Sequence, residues 1–267
     1  MLKDITLGQY FPGDTVVHRL DPRTKLLLVI IYIVTLFCAA HVITYAITLA
    51  ALIGVILASK IKFKVILGSM KPLLFIITLT GILNLFYSQG EPLVTFWIFT
   101  ITKEGIWNAV FMVLRISMLI CGTFMLTYTT SPIALTDGIE QLLQPLKKIK
   151  VPVHELAMMM CIALRFIPTL IEETDKIMSA QKARGADFES GSLLSRAKAL
   201  IPILVPLFIS AFRRADELAV AMECRCYHGG EGRTRMKQLK YAARDHMALV
   251  GGVLLMAIVI ILGKMGL

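Results

Sequence analysis

The sequence predicts an all-α integral membrane protein, with about five transmembrane helices and long amphipathic helices on the cytoplasmic side. Three observations carry the prediction. The 267-residue chain is 57% hydrophobic, well above the roughly 45–50% of soluble domains, and its mean hydropathy is +0.74. It holds several long runs without charge. Its lysines and arginines are gathered in three stretches rather than spread along the chain.

Residues 26–59 contain no Asp, Glu, Lys or Arg. A single helix of that length would measure about 50 Å, against a hydrocarbon core of roughly 30 Å. Two short spans meeting near residues 39–42 fit better. Asp21-Pro22 reads as the start of the first, with Asp21 as N-cap and Pro22 at the first helical position. Residues 72–88 form a third span, and 105–130 a fourth with Arg115 inside it. Residues 247–262 form a last one. The eleven residues 92–102 are too few to cross and carry two aromatics, which suits an interfacial or re-entrant piece.

Charge then sets the topology. Residues 1–25 carry Lys3, Arg19, Arg23 and Lys25. The second loop carries Lys60, Lys62, Lys64 and Lys71, and residues 131–246 carry seventeen more. With the N-terminus in the cytoplasm, 25 of the 28 basic residues lie inside, as the positive-inside rule asks. The C-terminus is then outside. No apolar core of signal-peptide type occurs in the first 25 residues, so insertion relies on the internal segments. The organisation expected is a leader and four spans (1–130), a cytoplasmic helical region (131–246) and a C-terminal span (247–267).

The 131–246 region is too long for a bare loop and too greasy for a linker. It reads as amphipathic helices at the membrane surface, over about 133–143, 154–184 (broken before Pro168) and 206–225. The stretch 201–212 carries Pro202 and Pro206 and is too short to span.

Two of these helices end alike. "SAQKARGADF" (179–188) and "AMECRCYHGG" (221–230) align at an offset of 41. Asp175 then matches Asp216, Ala183 matches Cys224 and Arg184 matches Arg225. Nine residues separate each Asp from its Arg, which puts them on opposite helix faces and leaves each arginine open to another partner. Gly185 is a natural residue just past a helix end, and Gly229-Gly230 plays a later, looser part for the second helix. Small neighbours let an arginine tip enter a groove and pair bidentately with carboxylates there. An arginine that merely complements the helix dipole explains either tip alone, but not two in register with the same small flanks.

Other constellations say less. The net charge of +10 comes without a basic stripe interleaved with aromatics, so nucleic-acid binding is set aside. Cys38, Cys121, Cys161, Cys224 and Cys226 are an odd number, mostly in apolar runs, and a lone C-x-C is a weak metal signal, so no metal site is expected. His154-Glu155 lacks the second His of a zinc protease, because position 158 is Met. Glu172-Glu173 reads as a solvated helix face, and the phosphate-binding loop G-x-x-x-x-G-K-[ST] is missing. Arg115, the one charge inside a span, is either half of a structural pair or part of a functional path.

"PGDTVVHRLDPRTKL" (12–26), followed by spans and two arginine triplets before a final span, resembles the transmembrane T component of energy-coupling factor (ECF) transporters, over essentially the whole chain. The resemblance rests on His18, Leu20-Asp21-Pro22-Arg23 and Lys25 in the leader and on the paired triplets. It implies a non-catalytic scaffold and coupling subunit of an ATP-driven importer. Such a subunit joins two cytoplasmic ATP-binding ATPases to a small membrane S component that binds a vitamin or other micronutrient. ATP binds to the partners, so no cofactor is expected on this chain. The amphipathic helices are then coupling helices, with Ala183-Arg184-Gly185 meeting one ATPase and Cys224-Arg225-Cys226 the other. The second triplet departs from Ala-Arg-Gly by a cysteine on each side. The alternatives are a self-contained membrane enzyme using His154, Glu172 and Glu173, and a secondary transporter.

Overall fold

The computed structural model describes residues 10–87, 92–96, 99–188, 192–229 and 238–265. Helices dominate it, with one short hairpin of strands. The chain forms two compact units, one of residues 8–138 with 239–267, the other centred on Ile139–Gln238.

In the first unit, α1 (Pro22–Cys38) and α2 (Val42–Ser59) are the expected pair of short spans. α3 (Phe63–Met70) runs through a 3₁₀ turn (Lys71–Leu73) into α4 (Leu74–Tyr87). The third span therefore starts at Phe63 rather than at residue 72. Pro72 lacks an N–H and tightens the backbone locally without ending the helix. A two-stranded antiparallel hairpin, β1 (Pro92–Phe96) and β2 (Phe99–Thr102), follows where an interfacial or re-entrant piece was expected. α5 (Lys103–Thr129) and α9 (Ala243–Lys264) complete the spans, and α6 (Pro132–Leu143) begins just after α5. α1 packs along α9, and α4 along α5.

Among the described residues five helices are long and apolar enough to cross a membrane: α2, the joined Phe63–Phe86, α5, α7 (Val153–Ala183) and α9. The expected set had α1 in place of α7. α1 has 17 residues, about 25 Å of helix. α7 qualifies through its greasy first half, while the stretch from Glu172 to its end carries Glu172, Glu173, Asp175, Lys176 and Lys182. Outward-facing apolar residues such as Leu57, Phe75 and Ile258 are exposed, as expected where the solvent is hydrocarbon. The buried cluster includes Leu36, Tyr45, Met118, Tyr128 and Val259.

The leader motif ties this unit together at one end. Asp21 caps α1, accepting from the Arg23 backbone N–H at 2.9 Å and from the Arg23 guanidinium at 3.0 and 2.9 Å. Burial pushes the Asp21 carboxyl up, but its Arg23 hydrogen bonds outweigh that and leave it below the usual range. The buried Asp245 accepts from the Asp21 N–H and from the Ala242 N–H, both at 2.8 Å. Arg23 stacks over the Tyr241 ring at 3.9 Å. The Lys25 ammonium donates to Thr129 O at 2.7 Å and His18 O at 3.1 Å. The His18 ring bridges Thr15 Oγ1 and Phe11 O, at 2.7 and 3.1 Å. Gly13 is required beside it, since a Cβ there would sit 2.9 Å from the ring.

Removing Asp245 orphans the buried Asp21 N–H, at about 1–3 kcal/mol, and leaves the half-buried Ala242 N–H without its partner. Asp245→Ala is expected to lower the thermal midpoint of the detergent-solubilised chain clearly, while Asp14→Ala, which breaks an exposed pair with Arg19, leaves it near wild type.

The second unit holds a 3₁₀ stretch (Gln144–Ile149), α7 and α8 (Leu193–Glu223). α7 runs unbroken through Pro168. α8 starts thirteen residues earlier than expected and takes Pro202 and Pro206 into its interior. Neighbouring turns and the packing of α7 on α8 carry both helices past their prolines, against a local cost of about 3 kcal/mol each.

Candidate functional site: two arginine-tipped helices

The two tips are built the same way, bond for bond. At the end of α7 the Gly185 N–H donates to Lys182 O and the Ala186 N–H to Gln181 O, both at 3.0 Å. At the end of α8 the Cys226 N–H donates to Glu223 O at 2.8 Å and the Tyr227 N–H to Met222 O at 3.0 Å. Each is a Schellman motif, and each bond maps onto its counterpart at the offset of 41. Arg184 and Arg225 lie just past the last helical residues, Ala183 and Glu223, and immediately before the reversal. The residues after them, Gly185 and Cys226, are left-handed, with φ of 87° and 55°.

This adds to the expectation for the second helix, which gave Gly229-Gly230 only a later, looser part. Its turn is made by Cys226 itself, not by the glycine pair. Gly229 has its own positive φ of 101°, and Gly230 lies outside the described residues. A non-glycine residue in this conformation costs roughly 1–2 kcal/mol, so the second tip holds the shape against a side-chain penalty that the first avoids.

Ala183, Arg184 and Gly185 are all exposed, as are Cys224, Arg225 and Cys226. Both cysteines are free thiols. Neither guanidinium has a hydrogen-bond or ion-pair partner among the described residues, so each fork presents its donors outward.

The sequence reading missed what joins the two helices. Glu173 on α7 accepts from Ser210 Oγ at 2.5 Å and from the Arg214 guanidinium at 2.9 Å, both on α8. Glu173 and Arg214 are also 41 residues apart. Each tip therefore lies eleven residues beyond the same clamp, about 16 Å along its helix. The signal was visible in the alignment, where Glu172-Glu173 falls opposite Arg213-Arg214.

The residues of the enzyme alternative do not converge. His154 pairs with Glu140 at 3.0 Å, and Glu173 is held by α8. Nineteen residues of one helix separate His154 from Glu173, close to 30 Å.

Arg115 in the first unit has a structural task. Its Nε donates to the Tyr45 hydroxyl at 2.8 Å, and a terminal nitrogen donates to Ala39 O at 3.1 Å. Ala39 caps the end of α1 and is buried. Arg115 therefore satisfies a carbonyl at the α1–α2 turn where water is scarce.

The comparisons with known proteins agree with this architecture. The family model CbiQ, described as cobalt transport protein, matches residues 13–236. The "Energy-coupling factor transporter transmembrane protein EcfT" of Clostridium kluyveri is 56% identical over 263 residues, covering 98% of this chain and 97% of that protein. The proteins of the same name from Bacillus subtilis and Lactococcus lactis are 47% and 46% identical. Those alignments each cover 98% of this chain, with 99% and 98% of the relatives.

Two substitutions test the tips. A Cβ at Gly185 would meet nothing within 4 Å, so Gly185→Ala is strained by backbone alone and is expected to destabilise by about 1 kcal/mol. Cys226→Gly relieves the same strain and should raise stability slightly, as read by thermal unfolding. Arg115→Met strands the Ala39 carbonyl and should cost about 1–3 kcal/mol. Unchanged melting of that variant would remove its structural role.

With relatives of that one name matching it along nearly its whole length, the chain belongs to the family of energy-coupling factor transporter transmembrane proteins.

Proposed function

We propose that this chain is the membrane scaffold and coupling subunit of an ATP-driven importer of the energy-coupling factor type. It hydrolyses nothing itself. Two cytoplasmic ATP-binding subunits receive the two tips, one taking Ala183-Arg184-Gly185 and the other Cys224-Arg225-Cys226. A membrane S component brings the substrate, a vitamin or another micronutrient. The N-terminus lies in the cytoplasm and the C-terminus outside. α7 and α8 then serve as coupling helices, and residues 131–246 as the cytoplasmic region between the spans.

The observation that carries this reading is the doubled Schellman-ended arginine tip on two helices clamped at matching positions. One tip would fit any helix end. Two equivalent guanidinium forks, with no partner among the described residues, fit a motor made of two similar halves. Closure of the ATPases would move the tips, and the Glu173–Arg214 clamp would make the two helices move together. A secondary transporter or lone enzyme gives no reason for the repeat.

The test is co-purification of the full transporter, with ATP-driven uptake in proteoliposomes. In Arg184→Glu with Arg225→Glu, each reversal should weaken docking by about 2–5 kcal/mol. The ATPases should be lost or uptake uncoupled from hydrolysis, while Lys at both positions keeps part of the function. Intact assembly and coupled uptake in the double reversal would sink the proposal.

A further inference from the structure

The link between α6 and α7 has a surface that the coupling reading leaves unused. Pro145 cannot donate back along the helix, and the chain tightens there into the 3₁₀ stretch Gln144–Ile149. In a 3₁₀ helix, residues three apart eclipse one another. Leu146 and Ile149 therefore eclipse, and Leu143, the cap residue at the end of α6, leads into the same apolar stripe; their exposures are 39%, 76% and 41%. Successive residues turn by about 120°. Lys147 falls on one flank of the stripe and Lys148 on the other, and all three lysines of the segment, Lys150 included, are exposed.

An apolar ridge with lysines on both sides is built for the boundary between hydrocarbon and headgroups. The ridge enters the acyl region, and the lysines lift their ammonium groups to the phosphates. On the first flank a cavity of about 240 Å³ is lined by Lys147, Lys150, His154 and Glu155 among others. The His154 ring is already engaged with Glu140. Glu155 offsets one lysine, and the segment stays cationic. From the eclipsed ridge and its flanking charge we infer that residues 143–150 form an interfacial anchor that binds anionic phospholipid, holding its phosphate between Lys147 and Lys150.

The full chain in mixed micelles tests this, with thermal unfolding read against added phosphatidylglycerol or phosphatidylcholine. Phosphatidylglycerol should raise the midpoint and phosphatidylcholine should not. At about fivefold per lysine, Lys147→Gln/Lys148→Gln/Lys150→Gln should need on the order of a hundredfold more phosphatidylglycerol, and the triple Arg variant should respond like wild type. Ile149→Ser should weaken the response with every charge in place. Equal stabilisation by the two lipids, or a wild-type response in the triple Gln variant, overturns the inference. So does an equal shift from inorganic phosphate alone, which would mark a free-anion site. A triple Gln variant that responds normally to lipid but loses a co-purifying subunit would assign the lysines to an acidic protein surface instead.

Discussion

Everything in the spanning unit depends on satisfying backbone groups where water cannot reach them. The Lys25 ammonium and the Asp245 carboxylate do this at one end. Lys25 takes the carbonyls of His18 and Thr129, and Asp245 takes the N–H groups of Asp21 and Ala242. Two charged side chains thereby fix the start of α1, the end of α5 and the start of α9. Arg115 does the same for the α1–α2 turn. In hydrocarbon an unmet backbone group is worth several kcal/mol. These few ions therefore decide which helices can be neighbours, and the apolar faces only fill in between.

The second unit follows another logic. Its helices are joined by an ion pair at matched positions, and each ends in the same two reversed hydrogen bonds. The repeat is one of backbone geometry more than of sequence. Ala183 and Cys224 differ, as do Gly185 and Cys226, yet φ stays positive at both turns. Arginine is the constant, placed where the helix has just run out of carbonyl partners.

Much of this was legible from residue order. Charge-free runs located α1, α2 and α9, a run broken only by Arg115 located α5, and Asp21-Pro22 marked the first cap. The boundaries that moved did so at prolines. Pro72, Pro168, Pro202 and Pro206 each look like a break in one dimension, and each is carried by a continuing helix in three. α7 shows the limit of counting apolar residues, since a greasy face and a greasy span share one composition. The candidate tips were visible because a repeat needs no fold to be seen. The clamp showed only as Glu172-Glu173 falling opposite Arg213-Arg214 at the same offset, and such a pairing declares a contact only once two helices lie together. Cys226 in the left-handed region was equally hidden, because residue preference pointed to the nearest glycines.

Those internal prolines have a mechanical meaning. Pro168 leaves the Leu164 carbonyl without its helical donor, and Pro202 and Pro206 do the same for the carbonyls of Lys198 and Pro202. Every one of them lies on the side of the Glu173–Arg214 clamp away from the tips. Between clamp and tip, both helices are uninterrupted. Each helix is thus a stiff short arm between clamp and tip joined to a more compliant long one that carries the prolines.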